Sequence, residues 1–270
     1  MHDVCQRLND VISSWNRYKT ITKLDFQDGM RTRALQSNTI FSTPTVYREK
    51  IGNQDVYQLS QVLKTNKTLT QLNVGSSYIG SEGVRLLAEA LHTNKTLTHF
   101  GLSFNSIRAE GVRHLSQMLQ NNTTLVELNL KGNHIGPEGA YYLSEGLKNN
   151  TSLQNLYLTG NPIEDKGAKH LSEILQNNRT LKVLFLSYIL IKDEGAQYLS
   201  QTLQYNTKLE QLCLSVNKIG DKGARYLSEA LQNNSTLTKL DMSHNQFGTT
   251  GRHSLRALKT TRENLEIIGI

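Results

Sequence analysis

The chain has 270 residues, of which 37% are hydrophobic and only three are proline, a composition typical of a folded protein rather than a disordered one. Its two cysteines, Cys5 and Cys213, exclude a disulfide-rich secreted scaffold. The formal net charge of +7 comes from 30 basic and 23 acidic residues dispersed along the chain. This dispersion indicates a solvated surface and predicts no nucleic-acid partner.

The amino-terminal segment predicts a cap on a larger structure. Apolar residues recur there at helical spacing, at Val4, Leu8, Val11, Ile12 and Trp15. The following "ITKLDFQDG" predicts a short strand. Residues 1–40 are therefore predicted to form a cap helix and an irregular first repeat.

The same segment also bears on location. Acids and amides stand where a signal peptide has its apolar core, and no stretch of the chain is long and apolar enough to span a membrane. The sequence therefore predicts a cytoplasmic protein with no membrane contact.

A period of 28 residues dominates the remainder of the chain. Leucine recurs at this interval at Leu69, Leu97, Leu125, Leu153, Leu181, Leu209, Leu237 and Leu265. Further apolar residues follow three and five positions later, so the frame is L-x-x-L-x-L, continued as x-x-N-x-I in most copies. Because alternate residues of a strand face opposite sides, the frame predicts a short strand with one buried face.

Each strand is followed by a helical pattern. In "NHIGPEGAYYLSEGLKNN", apolar residues recur at helical spacing from Ile135 to Leu147, and Pro137 stands near the helix start, where a missing N–H costs little. Polar residues that suit a helix N-cap occupy one position of five units, at Ser81, Asp165, Asp193, Asp221 and Thr249.

The frame and the unit length resemble the leucine-rich repeat family, and in particular its ribonuclease-inhibitor-like class, which includes the repeat regions of NOD-like receptors. The resemblance covers residues 41–270, with a weak copy at residues 41–68. It implies one α/β solenoid shaped as a horseshoe, with parallel strands on the concave face and helices on the convex face. Strands about 4.8 Å apart and helices about 10 Å apart give the same curvature. The final "LEIIGI" predicts a bare strand with an open edge and no polar cap.

The sequence offers no motif for catalysis, for a cofactor or for a metal. It contains no GxxxxGK phosphate loop, no HExxH and no cysteine and histidine spacing that suits zinc. We therefore expect a non-catalytic protein. One enzyme alternative stays open, because activators of the small GTPase Ran use repeats of this class; Arg31, Arg33 and Arg48 are its candidate residues.

Sequons for N-glycosylation lie on the same 28-residue lattice, at Asn66, Asn94, Asn122, Asn150, Asn178 and Asn234. Asn206 holds the same lattice point without a sequon. This indicates an architectural role, in which Asn ends each helix in left-handed geometry. A secreted glycosylated receptor is the second alternative.

The variable strand positions predict where a partner binds. Leucines point inward, so the residues between them face the concave surface, and exposed aromatic residues commonly anchor protein partners. The predicted partner-binding residues are His99, Phe104, Glu127, Tyr157, Val183, Phe185, Tyr188, Gln211 and Lys239. Beside them Ile189 replaces the Asn of other units, which predicts a turn that protrudes or finds other hydrogen bonds.

Overall fold

The computed structural model describes residues 23–25 and 53–270. Within these residues nine parallel strands form a single sheet in chain order. The strands are β1 (Lys23–Asp25), β2 (Gln71–Asn73), β3 (His99–Gly101), β4 (Glu127–Asn129), β5 (Asn155–Tyr157), β6 (Val183–Phe185), β7 (Gln211–Cys213), β8 (Lys239–Asp241) and β9 (Glu266–Ile268). The described helices are α1 (Asn53–Thr65), α2 (Gly80–Thr93), α3 (Arg108–Leu119), α4 (Gly136–Leu147), α5 (Glu164–Asn177), α6 (Asp193–Leu203), α7 (Asp221–Leu231) and α8 (Thr249–Thr261).

The first strand pairs directly with the second, with Leu24 opposite Leu72. The place beside β2 that the repeat register gives to residues 41–46 is therefore taken by β1. The predicted cap helix, which contains Val4 to Trp15, lies outside the described residues. The division of the chain at residue 40 stays a prediction.

The strands confirm the predicted α/β solenoid. In β2 to β6 and in β8 the middle residue is buried while its two neighbours are half-buried, as period-two alternation requires. Leu128 and Leu156, for example, are fully buried on adjacent strands. Leucines of strands and helices form one continuous core, because each unit buries its apolar face only against its neighbours.

A row of Asn side chains, most of them buried, joins most units to the one before. The Asn133 Oδ1 accepts the backbone N–H groups of Asn105 at 2.8 Å and Ile107 at 3.4 Å. Its Nδ2 donates to the carbonyls of Leu102 and Leu130, each at 2.9 Å. Asn side chains bridge two units in the same way at Asn105, Asn161, Asn217 and Asn245. We call these five residues the turn asparagines.

The fifth full unit satisfies its turn without an Asn. Ile189 is fully buried, so of the two predicted outcomes the turn does not protrude at this residue. The N–H of Ile163, whose counterparts in other units bond to a turn asparagine, donates instead to the Asn161 carbonyl at 2.8 Å. The Ile189 N–H is still accepted by Asn217 Oδ1 at 3.1 Å. Only the side-chain link back to the preceding unit is therefore lost, because the Ile189 carbonyl still accepts the Glu164 N–H at 2.9 Å.

The helix caps act between units, so the prediction that each polar residue caps its own helix was wrong for the three aspartates. Asp165 Oδ1 accepts the N–H groups of Lys192 at 2.7 Å and Gly195 at 2.9 Å, at the start of the next helix. Asp193 and Asp221 cap α7 and α8 in the same manner. A Cβ on Gly195 would lie 2.6 Å from the Asp165 oxygen. The recurring glycine therefore leaves room for the carboxylate of the preceding unit.

Replacing Asn133 with alanine should destabilise the protein by about 3 kcal/mol or more, because two buried N–H groups and two carbonyls lose a partner. The measurement is urea denaturation of wild type and variant. Asn129→Ala is the control: its Oδ1 accepts one bond, from Lys131 N–H at 3.1 Å in an exposed position, and we expect a loss below about 1 kcal/mol. Equal losses in the two variants would show that the buried bridges do not stabilise the stack.

Candidate protein-binding surface

Two aromatic rings meet in the middle of the strand face. Tyr157 on β5 is the register partner of Phe185 on β6, and their ring centroids lie 5.0 Å apart at an interplanar angle of 40°. Burial among neighbouring groups, and after it the charge of Glu127, raises the pKa of Tyr157. Val183 is half-buried on the same strand face. Together with Tyr188, which follows β6, these residues form what we call the concave aromatic patch.

Tyr188 belongs to a column of residues held in left-handed backbone geometry. Its φ is 53°, and its side chain is 60% exposed. The same turn position has φ between 55° and 73° in the other units, at Ser76, Phe104, Gly132, Gly160, Val216 and His244. A large side chain costs about 1 kcal/mol or more in this region, and a β-branched one is an outlier. Phe104, Tyr188 and Val216 are therefore exposed apolar residues at positions where glycine would have a lower backbone energy.

The sequence did not reveal this geometry, although Gly132 and Gly160 in the same column were the available signal. Gly132 has a second reason to be glycine, because a Cβ there would lie 2.4 Å from the Phe104 ring. The Phe104 ring therefore lies over the next unit, and Lys131 Nζ stands 5.5 Å from its centroid. We find no contact between Phe104 and the concave aromatic patch among the described ring pairs.

The remaining predicted residues form a polar border on the same face. His99 Nδ1 and the Thr98 hydroxyl are 2.8 Å apart. Glu127 Oε2 accepts a hydrogen bond from Asn155 at 3.3 Å. Gln211 is half-buried and lies between Val183 and Lys239 in strand register.

Some charged side chains in and next to this border already form ion pairs with each other. Lys239 Nζ lies 3.3 Å from the Glu266 carboxylate, and Lys182 Nζ lies 3.2 Å from that of Glu210. All four side chains are about half-exposed, so each pair contributes little to stability. A partner can exchange these contacts for its own at small cost.

Next to the patch, Cys213 belongs to a hydrogen-bonded cluster that sequence reasoning missed. Its thiol lies 3.0 Å from the Ser187 hydroxyl and donates to Asp241 Oδ2 at 3.2 Å. Burial raises the pKa of Asp241, but hydrogen bonds from Ser243, Cys213 and Ser215 outweigh it and hold the pKa below its usual value. The signal in the sequence is the serine that recurs one position after the third apolar residue in the last three full units.

The lattice Asn residues are structural. Asn122 is 3% exposed, its Nδ2 donates to the Leu91 carbonyl at 2.9 Å, and its Oδ1 accepts the N–H groups of Thr124 and Leu125. The same three bonds recur at Asn94, Asn150, Asn178, Asn206 and Asn234. We call these six residues the helix-end asparagines.

The predicted left-handed geometry at these positions was wrong. Asn94 and Asn178 have φ of −69° and −68° with ψ of 131° and 132°, which is extended backbone. The carbonyl oxygen of each side chain bonds to the N–H groups two and three residues ahead, so the chain changes direction without a positive φ. The nitrogen that a glycan would need is already a buried donor.

The other candidate chemistry considered from the sequence is a GTPase-activating site, a metal site and a membrane span. Arg31, Arg33 and Arg48, the candidate residues of a GTPase activator, are not among the described residues. In residues 23–25 and 53–270 no group of three or more His, Cys, Asp or Glu side chains is placed to hold a metal ion. None of the described helices is long and apolar enough to cross a membrane.

The model of the family "Leucine Rich repeat" matches residues 65–88, 93–116, 121–144, 149–172, 205–228 and 233–255, which is more than half of the chain. The chain belongs to the leucine-rich repeat family. The family match leaves out residues 173–204, which include Ile189.

Comparison with solved structures gives partial matches to two proteins. Leiomodin-1 actin-binding site 2 is 20% identical, with a TM-score of 0.48, and the match covers 57% of this chain and 89% of that one. The tropomodulin C-terminal domain of Caenorhabditis elegans is 18% identical, with a TM-score of 0.49, and the match covers 56% and 93%. No curated protein matches the sequence.

Expression of the chain behind a secretory leader in eukaryotic cells tests the role of the helix-end asparagines. We expect folded protein to carry no glycan at Asn122, because its Nδ2 is a buried donor. The measurement is peptide mass mapping before and after glycosidase treatment. The half-exposed Asn66 serves as the internal comparison, and a glycan on Asn122 in cooperatively folded protein would refute the structural role.

Proposed function

We propose that this leucine-rich repeat protein is a non-catalytic scaffold that binds a protein partner on its concave face, through the concave aromatic patch. The observation that carries the proposal is the contact between the half-buried rings of Tyr157 and Phe185 on adjacent strands. Aromatic side chains of this kind bring large apolar area to an interface at low entropic cost.

The backbone around the patch supports the same assignment. Tyr188 keeps an exposed aromatic ring at a left-handed position, where glycine would be conformationally easier. Strained positions that persist in a fold cluster at functional sites. A polar border of His99, Glu127, Gln211 and Lys239 around an apolar centre is the usual composition of a protein interface.

We further propose that the protein works in the cytoplasm and is related to the ribonuclease-inhibitor-like repeats of NOD-like receptors. Two features support these proposals. The unit of 28 residues contains one strand and one full helix, and most of the lattice Asn side chains are buried in roles that a glycan would disrupt. The identity of the partner is set by side chains rather than by the fold.

The patch is tested by the double variant Tyr157→Asn and Phe185→Asn. Asn is the native residue of this column at positions 73 and 129, where its Oδ1 accepts the N–H two residues ahead, so the exchange preserves the strand ends. We expect the affinity for a protein captured by the wild-type chain to fall at least about tenfold, because two interface aromatics are lost. Calorimetry of the purified pair is the measurement.

Tyr141→Ala with Tyr205→Ala is the matched control, because both tyrosines are exposed but stand on helix α4 and just after helix α6. This control should bind as wild type does. Thermal denaturation of each variant separates lost contacts from lost structure. If the captured protein binds the patch variant as tightly as it binds the wild-type chain, the concave aromatic patch is not the binding site.

A further inference from the structure

Three positions on each helix face the following unit. They come one, five and eight residues after the recurring glycine, and in α5 they are Ala168, Ser172 and Leu175. The Cβ of Ala168 lies 3.2 Å from the place a Cβ would occupy on Gly195 of the next helix. In helices α2 to α7 all these positions hold buried Val, Ala, Ser or Leu residues. They are the packing surface between units.

Helix α8 has cations at the same three positions. Arg252, Arg256 and Lys259 stand one, five and eight residues after Gly251, and all three are exposed. We call these residues the cationic flank. Such side chains cannot pack against another helix of this repeat without burying charge. The sequence predicted a bare final strand with no polar cap; the helix before that strand, α8, has a charged outer side.

A polar outer face on a helix serves solubility, but solubility alone does not require charges of one sign. Helix α8 contains no Asp or Glu, unlike every other described helix. Arg252 and Arg256 are four residues apart and Lys259 is three further on, so like charges repel along the helix. The cationic flank therefore lowers helix stability, which an anionic partner would reverse.

The acids around α8 are already engaged. Asp221 accepts the N–H groups of Gly248 and Gly251, Glu229 lies 3.8 Å from Arg225, and Glu266 pairs with Lys239. The exposed Glu263, just beyond the helix, is one acid beside the three cations of the flank. Over residues 218–262 eight Lys and Arg stand against three acids, while the whole chain has a net charge of +7.

We propose that the cationic flank and the adjoining edge of β9 form a second docking surface, for an acidic polypeptide segment. Arg252 is held in place because its guanidinium lies 5.4 Å from the Phe247 ring and donates to the Gly269 carbonyl at 3.4 Å. The residues on either side of that glycine, Ile268 and Ile270, are half-exposed and apolar. A polypeptide can place carboxylates on the cations and apolar side chains on these isoleucines.

The size of the flank favours a polypeptide over other polyanions. Seven residues of helix span about 10 Å. Lipid surfaces are bound by clusters of about four to eight basic residues, and duplex DNA by about six to ten phosphate contacts. Three cations beside apolar residues match a short acidic segment. This surface is separate from the concave aromatic patch, so either proposal can fail alone.

The test measures binding of a fluorescent 20-residue polyglutamate peptide by anisotropy at low salt. We expect Arg252→Ser, Arg256→Ser and Lys259→Ser together to weaken binding at least about tenfold, since three charge contacts are lost. The matched control is Lys148→Ser, Lys166→Ser and Lys208→Ser, which removes the same charge from exposed positions elsewhere. The control should weaken binding less than about twofold.

Two other polyanions test whether the cationic flank binds a lipid surface or DNA rather than an acidic polypeptide. Vesicles containing phosphatidylserine and a 20-base-pair DNA duplex are titrated against the same proteins. The proposal is overturned if wild type does not bind polyglutamate, if the two triple variants lose affinity equally, or if only vesicles or DNA respond to the cationic flank. Selective loss of polyglutamate binding in the flank variant supports it.

A single charge reversal gives an independent readout. Arg256→Glu places an acid four residues after Arg252 and three before Lys259, so two repulsive pairs become attractive. We expect the melting temperature to rise by about 1 to 2 °C while polyglutamate binding falls at least as far as in the serine variant. A lower melting temperature would show that Arg256 stabilises the fold, and would contradict the proposed cost of the flank.

Discussion

The solenoid depends on asparagine side chains that satisfy the backbone of neighbouring units. Each strand is only three residues long, so the ladder alone makes few hydrogen bonds per unit, and the turns on either side contain buried polar backbone groups. The turn asparagines serve the turn before each helix, and the helix-end asparagines serve the turn after it. Because an unpaired buried N–H or carbonyl costs about 1 to 3 kcal/mol, these side chains stabilise the turns around the leucine core. Where Ile189 replaces one of them, the core is still buried and the turn is satisfied by a backbone carbonyl instead.

The leucine spacing was sufficient to predict the strands and their register. Leu128 lies opposite Leu156 because both occupy the same place in a period of 28 residues. The spacing was insufficient for side chains that act between units. It placed Asp165 at the start of a helix. It could not show that the carboxylate reaches the next helix, because that contact depends on the orientation of the side chain relative to the neighbouring unit. The same limit applies to the helix-end asparagines, whose role was predicted with the wrong backbone geometry.

For the candidate site, the sequence predicted which residues lie on the concave strand face, but not all of their contacts or their backbone geometry. The repeat register brings Tyr157 beside Phe185, and so their contact follows from the period. The left-handed backbone of Tyr188 does not follow, because aromatic residues are rare in that conformation and propensity argues against it. Arg252 was visible as a charged residue in the sequence. Its position on the surface between units became evident only from the packed helices, in which Ala224 and its counterparts face the next unit.

The two kinds of bridge run in opposite directions along the stack. Asp165 reaches forward to helix α6, whereas Asn133 reaches back to the turn of the preceding unit. Both kinds of bridge are present at the boundaries between β6 and β7 and between β7 and β8. The boundary between β5 and β6 has no turn asparagine, because Ile189 stands in its place, although the Ile189 carbonyl still accepts the Glu164 N–H and Asn206 still donates to the Leu175 carbonyl. Tyr157 and Phe185 lie on either side of that boundary, so a partner that contacts both rings would hold together two units that no turn asparagine joins.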